Sequence, residues 1–312
     1  MNKLLLAALV TGALASSAYA ADYTIMAPAS PGGGWDQTAR TMQDALQTEG
    51  ISGNVQVTNV PGAGGTIGLA QFANQYAGNP DALIVGGYVM VGAVLTNQSP
   101  VSLADVTPIA RLTGESDVIV VPANSELQTI DDMVAMLKDN PGSVSWAGGS
   151  AGGVDHIAAG LIAKAVGVDP TMVNYIAYSG GGEALAAVLG GQVTVGISGA
   201  GEFAAQIEAG DLRALAVTGD EPVGDIPTLQ ASGIDVVVQN WRMVAAAPGI
   251  TAEQKAAITA DIEKMVASET WQTALTTKGW VDTYLAGDEF DAQLAKDIDA
   301  TSVILKDIGL VQ

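Results

Sequence analysis

Short apolar runs alternate along this chain with stretches whose apolar residues recur at helical spacing. Tyr23, Thr24, Ile25, Met26 and Ala27 form the first strand-like run. Residues 37–46 then set Ala39, Met42, Ala45 and Leu46 on one helical face, with Asp36 expected as the N-cap. The plan repeats with a strand over 55–59, a turn over 60–66 and a helix over 67–76. A third strand over 82–86 leads through Tyr88 into a short helix. After Arg111 the pattern restarts. A strand over 118–121 stops at Pro122, and a helix over 129–138 carries Asp131 and Asp132 in its first turn, where the helix dipole favours acids. Strands at 144–147, 173–177 and 193–197 flank helices over 154–166 and 183–189. Residues 212–218, 236–239 and 243–247 read as further strands. Helices over 251–268, 271–277 and 290–308 complete the chain, the first with Thr251 and Gln254 at capping-box positions.

Strands alternating with helices predict parallel sheets with right-handed crossovers, and such sheets bind ligands beyond the carboxyl ends of their strands. Four glycine-rich turns fall at those ends, each just before a helix. The first holds Ser30, Pro31, Gly32, Gly33, Gly34 and Trp35. The second holds Gly62, Ala63, Gly64, Gly65 and Thr66. The third spans 148–153 and includes Ser150, Ala151 and Gly152, with His156 on the helix that follows. The fourth holds Tyr178, Ser179, Gly180 and Gly181. Tyr88 and Ser198 sit at two further strand ends. The first N–H groups of a helix lack intrahelical acceptors, and the dipole adds positive potential there. An anion binds at such an end without a side-chain cation, and glycine lets the backbone come close. Tight strand-to-helix turns favour glycine as well, but four of them in one chain weigh toward a ligand. Trp35 reads as a cleft wall or as packing under the first helix. Tyr88 and Tyr178 read as hydroxyl donors or as core cover. Arg40 and Arg111 are candidate anion partners, with Arg40 expected to pair with a surface acid.

Composition narrows the chemistry. The net charge of −21 supplies no basic face, which argues against nucleic acid and anionic lipid as partners. There is no cysteine and a single histidine, so thiol catalysis and thiolate or histidine-cluster metal sites are excluded, and no cofactor is expected. No glycine turn is followed by the lysine of a nucleotide P-loop. Gly62, Gly64 and Gly65 approach the dinucleotide fingerprint, but its third glycine falls on Ile67. The run Gly148-Gly149-Ser150-Ala151-Gly152 matches the hydrolase nucleophile elbow. That mechanism needs a histidine well downstream of an acid, whereas His156 lies six positions on, inside the next helix. An exported serine hydrolase using Ser150 is therefore the minor alternative. Residues 1–20 read as a secretory signal peptide, with Lys3, an apolar stretch from Leu4 and an Ala18-Tyr19-Ala20 cleavage signal. Cleavage after Ala20 and a periplasmic location are expected.

Several runs together are similar to one family: Ala27-Pro28-Ala29-Ser30-Pro31-Gly32-Gly33-Gly34-Trp35-Asp36 with Arg40, Asn59-Val60-Pro61-Gly62-Ala63-Gly64-Gly65, Tyr178-Ser179-Gly180-Gly181-Gly182, Leu212-Arg213-Ala214-Leu215-Ala216-Val217 and Ile226-Pro227-Thr228-Leu229. In this order they resemble the periplasmic receptors of tripartite tricarboxylate transporters, the Bug-type family, across nearly the whole mature chain. The resemblance implies an α/β, two-lobed type II periplasmic-binding-protein fold. Each lobe would be a mainly parallel sheet flanked by helices, and two crossovers would join the lobes. Lobe 1 would comprise residues 21–117 plus 240–312, and lobe 2 residues 118–239. It also implies a small organic acid held between the lobes by turn N–H groups, with citrate or a related di- or tricarboxylate expected. The implied partners are that ligand and the membrane components of a transporter, the receptor itself being a monomer. A ligand-sensing role beside a signalling protein is compatible with the same fold.

Overall fold

The computed structural model describes residues 22–311; the expected signal peptide and cleavage after Ala20 lie outside the described residues. Three strand–helix units open the chain: β1 (Tyr23–Ala27) and α1 (Gly34–Thr48), β2 (Val55–Asn59) and α2 (Thr66–Gln75), β3 (Ala82–Gly87) and α3 (Tyr88–Thr96). β1 lies between β2 and β3 and runs parallel to both. Every residue of β3 is buried, as expected of a strand covered on both faces. The apolar face of α1 buries Ala39, Met42, Ala45 and Leu46 against this sheet.

β4 (Thr107–Pro122) then carries the chain onward. The second half contains α4 (Ile130–Asp139), β5 (Ser145–Gly148), α5 (Val154–Ala165), β6 (Asn174–Ala177), α6 (Gly181–Leu189), β7 (Val195–Gly199), α7 (Ala200–Ala209) and β8 (Leu212–Val217). The chain returns through β9 (Gln239–Ala246) to α8 (Ala252–Val266), α9 (Glu269–Lys278), β10 (Val281–Ala286) and α10 (Gly287–Asp307). The strands order as β2-β1-β3-β9-β4-β7-β5-β6, with β8 and β10 both added to β4. The parallel pairs are those of β1 with β2 and β3, and of β5 with β6 and β7. Antiparallel pairing is confined to β4 and β9, the two strands that join one set to the other. One large core gathers around Ile25, Phe72, Leu83 and Trp271, and another around Ile119, Trp146, Ile162 and Ile197.

Three readings change. Residues 118–121 are the end of a sixteen-residue strand rather than a new start. Its earlier part escaped notice because Arg111, Thr113, Glu115 and Asp117 interrupt the apolar pattern. Arg111 Nε and Thr113 Oγ1 donate to the carbonyls of Thr283 and Val281, so their polarity is satisfied by β10. Residues 236–238 make no ladder. Val236 and Val238 pack into the second core, the Val238 N–H donates to the Thr218 carbonyl, and β9 begins at Gln239. β10 went unread because it is a half-exposed strand on the flank of β4, with little apolar alternation.

Candidate functional site

The four glycine turns meet in one cavity of about 810 Å³. Ser30, Pro31, Gly32, Gly33, Gly34 and Trp35 line one side with Gly62, Ala63, Gly64 and Gly65. Ser150, Ala151, Tyr178, Ser179, Gly180, Gly181 and Ser198 line the other. Thr66, Tyr88, Gly152 and His156 do not reach the cavity wall. Thr66 Oγ1 donates to the Ala63 carbonyl at 2.9 Å and ties down its own turn. Tyr88 stacks on Trp241 with ring centroids 6.1 Å apart and packs among core side chains. Gly152, at φ +74°, faces the Thr96 side chain of α3.

The first turn is held by a buried acid. Asp36 is not the N-cap, which is Gly33; it stands at the third helical position. From there its carboxylate reaches back to accept from the Gly32 N–H at 2.8 Å, from Arg40 Nε at 2.9 Å and from Asn59 Nδ2 at 2.9 Å. Burial pushes the Asp36 pKa up, but the bonds from Arg40, Gly32 and Asn59 outweigh it, and the group ends below the ordinary aspartate range. The partner of Arg40 is thus a buried acid rather than a surface one. In the second turn Gly64 and Gly65 both take positive φ. A Cβ on Gly65 would lie 2.6 Å from the Trp35 ring, so glycine there lets the indole pack down on the turn. Trp35 is both wall and packing residue: it lines the cavity and is 8% exposed.

The third turn is cross-braced. Asp155 Oδ2 accepts from the Gly149 N–H at 2.6 Å, and Tyr175 Oη donates to the Gly149 carbonyl at 2.8 Å. The Gly152 N–H donates to His156 Nδ1 at 3.2 Å, and the imidazole stacks on the Tyr175 ring with centroids 4.1 Å apart. Burial lowers the His156 pKa to about 4, so the ring is neutral at physiological pH. This histidine buttresses a turn; its Nδ1 is already engaged and its face is covered. In the fourth turn the Ser179 N–H donates to Glu183 Oε2 at 3.1 Å. Ser198 Oγ donates to Glu202 Oε2 at 2.7 Å.

Asp36, Asp155, Glu183 and Glu202 therefore repeat one device. Each lies in the first turn of its helix; the first three each accept from an N–H of the glycine turn before the helix, and Glu202 from the Ser198 hydroxyl at the end of β7. This uses part of each helix's positive end. The N–H groups of the first helical turn that keep no intrahelical acceptor stay available for a ligand.

Arg111 lies away from the cavity, on the flank that pairs with β10. The cation that does reach the cavity wall is Arg242 of β9, which sequence reasoning missed, along with Asp155, Glu183, Glu202 and Asn240. The polar step Asn240-Trp241-Arg242 at the head of an apolar strand was the available signal. Arg242 is 3% exposed, forms a buried ion pair with Glu115 and lies 5.1 Å over the Trp280 ring. Its charge is thus largely committed within the protein. Among the described residues no group of histidine, aspartate and glutamate side chains is arranged to hold a metal ion.

Comparison with known proteins adds four findings. The family model described as "Tripartite tricarboxylate transporter family receptor" matches residues 38–310. The Bordetella pertussis protein BugT is 26% identical over 292 residues, covering 91% of this chain and 88% of BugT. Among solved structures, the periplasmic binding protein BugD superposes with a TM-score of 0.83 at 21% identity, covering 93% of this chain and 98% of that one. MatC from Rhodopseudomonas palustris with bound malate gives a TM-score of 0.73 at 22% identity, covering 92% and 96%.

Proposed function

The chain belongs to the receptor family of tripartite tricarboxylate transporters, and from that premise we propose that it is a periplasmic receptor that captures a small dicarboxylate and delivers it to the membrane components of such a transporter. The observation that carries this reading is the convergence of four glycine turns, with their helix N-termini, on one cavity. The ligand's carboxylates are held by turn and helix N–H groups, and the strands β4 and β9 serve as the crossovers between a lobe of residues 21–117 plus 240–312 and a lobe of residues 118–239.

A di- or tricarboxylate was the expectation from sequence, with citrate first. The cavity wall favours the smaller charge. Asp155, Glu183 and Glu202 line it against a single cation, Arg242, which Glu115 already engages. A third ligand carboxylate meets carboxylates rather than donors. The malate bound to MatC supports the same class. The arrangement of His156 supports a receptor more than a hydrolase at Ser150: its Nδ1 accepts from Gly152 and the ring lies flat on Tyr175.

A thermal-shift screen at fixed ionic strength tests the reading. A ligand present at a hundred times its Kd adds about 2.7 kcal/mol of stability, which moves Tm by several degrees in a protein of this size. Malate and its dicarboxylate relatives should raise Tm more than citrate does. A screen in which no organic acid moves Tm contradicts the receptor reading, and a citrate shift exceeding every dicarboxylate contradicts the charge argument.

A further inference from the structure

Behind the third turn lies a group that ligand binding as described does not use. Asp117 sits where β4 changes partners: residues up to Ser116 pair with β9, and those from Asp117 onward pair with β7. Its side chain is fully buried, and among the described residues no group donates a hydrogen bond to either carboxylate oxygen. The polar group within hydrogen-bonding reach is the carboxyl of Asp155, which itself lines the cavity. A buried carboxylate without donors is costly, and two side by side more so. The charged groups facing Asp117 are Asp155 on α5, Glu115 on its own strand and Glu202 on α7, all acids. Tyr175 of β6 lies beside the same two aspartates and holds its own proton. The imidazole stacked on it, His156, is neutral. Arg242, the cation on this wall, is paired with Glu115.

We propose that Asp117 and Asp155 form a buried carboxyl pair that retains at least one proton at neutral pH, and that this proton ties the third turn of the cavity to the pH of the medium. The proton gives Asp117 the donor that the surrounding protein does not supply. It bridges to Asp155, which keeps its other oxygen for the Gly149 N–H. Gly149 and Ser150 line the cavity, so deprotonating the pair sets two charges against each other directly behind that wall.

Titration behaviour agrees in direction. Burial raises the pKa of Asp117 well above the aspartate range, with Asp155 and Glu115 adding to it. Burial also raises Asp155, to about 7, although the Gly149 N–H pulls the other way. A folded-state pKa above the unfolded value means that folding holds a proton the unfolded chain would release. The stabilisation from Asp155 is therefore complete below about pH 4 and is lost as pH rises toward about 7; that from Asp117, raised well above the aspartate range, is lost in the same direction. Proton retention does not depend on which acid the cavity binds, so the test needs no ligand and can fail independently of the transport reading.

The test uses the ligand-free mature chain. Infrared difference spectra at about pH 7 should show a protonated-carboxyl C=O band in the wild type that Asp117→Asn or Asp155→Asn removes or shifts. Asp117→Asn keeps the shape, supplies an N–H donor to Asp155 and needs no proton taken up on folding. It should raise Tm at about pH 8 by about 5 °C, with a smaller gain at about pH 5. Should neither variant fold, the wild-type spectrum alone decides. A wild type with no protonated-carboxyl band at about pH 7 overturns the proposal, and so does an Asp117→Asn protein whose Tm tracks the wild type at both pH values.

Discussion

Replacing Arg242 with methionine is expected to lower the unfolding free energy by about 3–5 kcal/mol, a fall in Tm of roughly 10 °C. The guanidinium and the Glu115 carboxylate are both almost wholly buried and pair with each other. They also join the two strands that connect the sheets, since Glu115 lies on β4 and Arg242 on β9. Methionine fills much of the same volume but leaves Glu115 as a buried charge beside Asp117 and Glu202. Burial already raises the Glu115 pKa, with Arg242 holding it down; without Arg242 the carboxyl takes up a proton. The loss should therefore shrink as the pH is lowered. The double variant Glu115→Gln with Arg242→Met removes both charges and should recover most of the loss. Urea unfolding of the two single variants and the double variant measures this coupling. Additive losses in the double variant would show that the pair is not the source of the effect.

The second large effect is on binding rather than stability. Gly92 lies in the middle of α3, where alanine normally favours the helix. A Cβ at Gly92, however, would run into the Gly152 carbonyl oxygen of the third turn. Two backbones from different parts of the fold approach here because neither carries a side chain, and Thr96 completes the contact with Gly152. Gly92→Ala should thus leave the protein folded yet hold α3 and the third turn apart. Overpacking of this kind costs about 1–3 kcal/mol. Charged to the conformation in which the turns surround the ligand, that is roughly a 5- to 150-fold weaker affinity. Calorimetric titration with the acid that gives the greatest thermal shift reads this directly. Unchanged affinity in a folded variant would mean that the Gly92–Gly152 approach is not required for binding.

These two effects arise from parts of the molecule that were unequally legible in the sequence. The glycine turns were readable because positive φ and close approach leave a compositional mark, and Gly32, Gly62, Gly64, Gly65 and Gly152 do carry positive φ. The helices were readable because one apolar face recurs at regular spacing, as in α1 and α4. β4 was only half readable. Its buried polar residues look like a loop until their partners, Thr283, Val281 and Arg242, are brought from more than a hundred residues away. For the same reason Arg242, Asp155 and Glu202 were missed at the site. A charged residue next to a strand end or in a first helical turn reads as solvated surface, and only the tertiary arrangement turns it toward a cavity. Tyr88 and His156 show the converse. Their types and positions suggested ligand contacts, but aromatic stacking on Trp241 and Tyr175 uses the same rings for packing.

At the centre of the account is the claim that backbone N–H groups, rather than a cationic side chain, hold the acid. A crystal structure of the protein with bound malate tests it most directly. The carboxylate oxygens are expected within about 3 Å of N–H groups in the turns at Gly32–Trp35, Gly62–Gly65, Gly149–Ala151 or Ser179–Gly181, with Arg242 still paired to Glu115. Malate gripped by an Arg242 that has left Glu115, or lying clear of these turns, would contradict it.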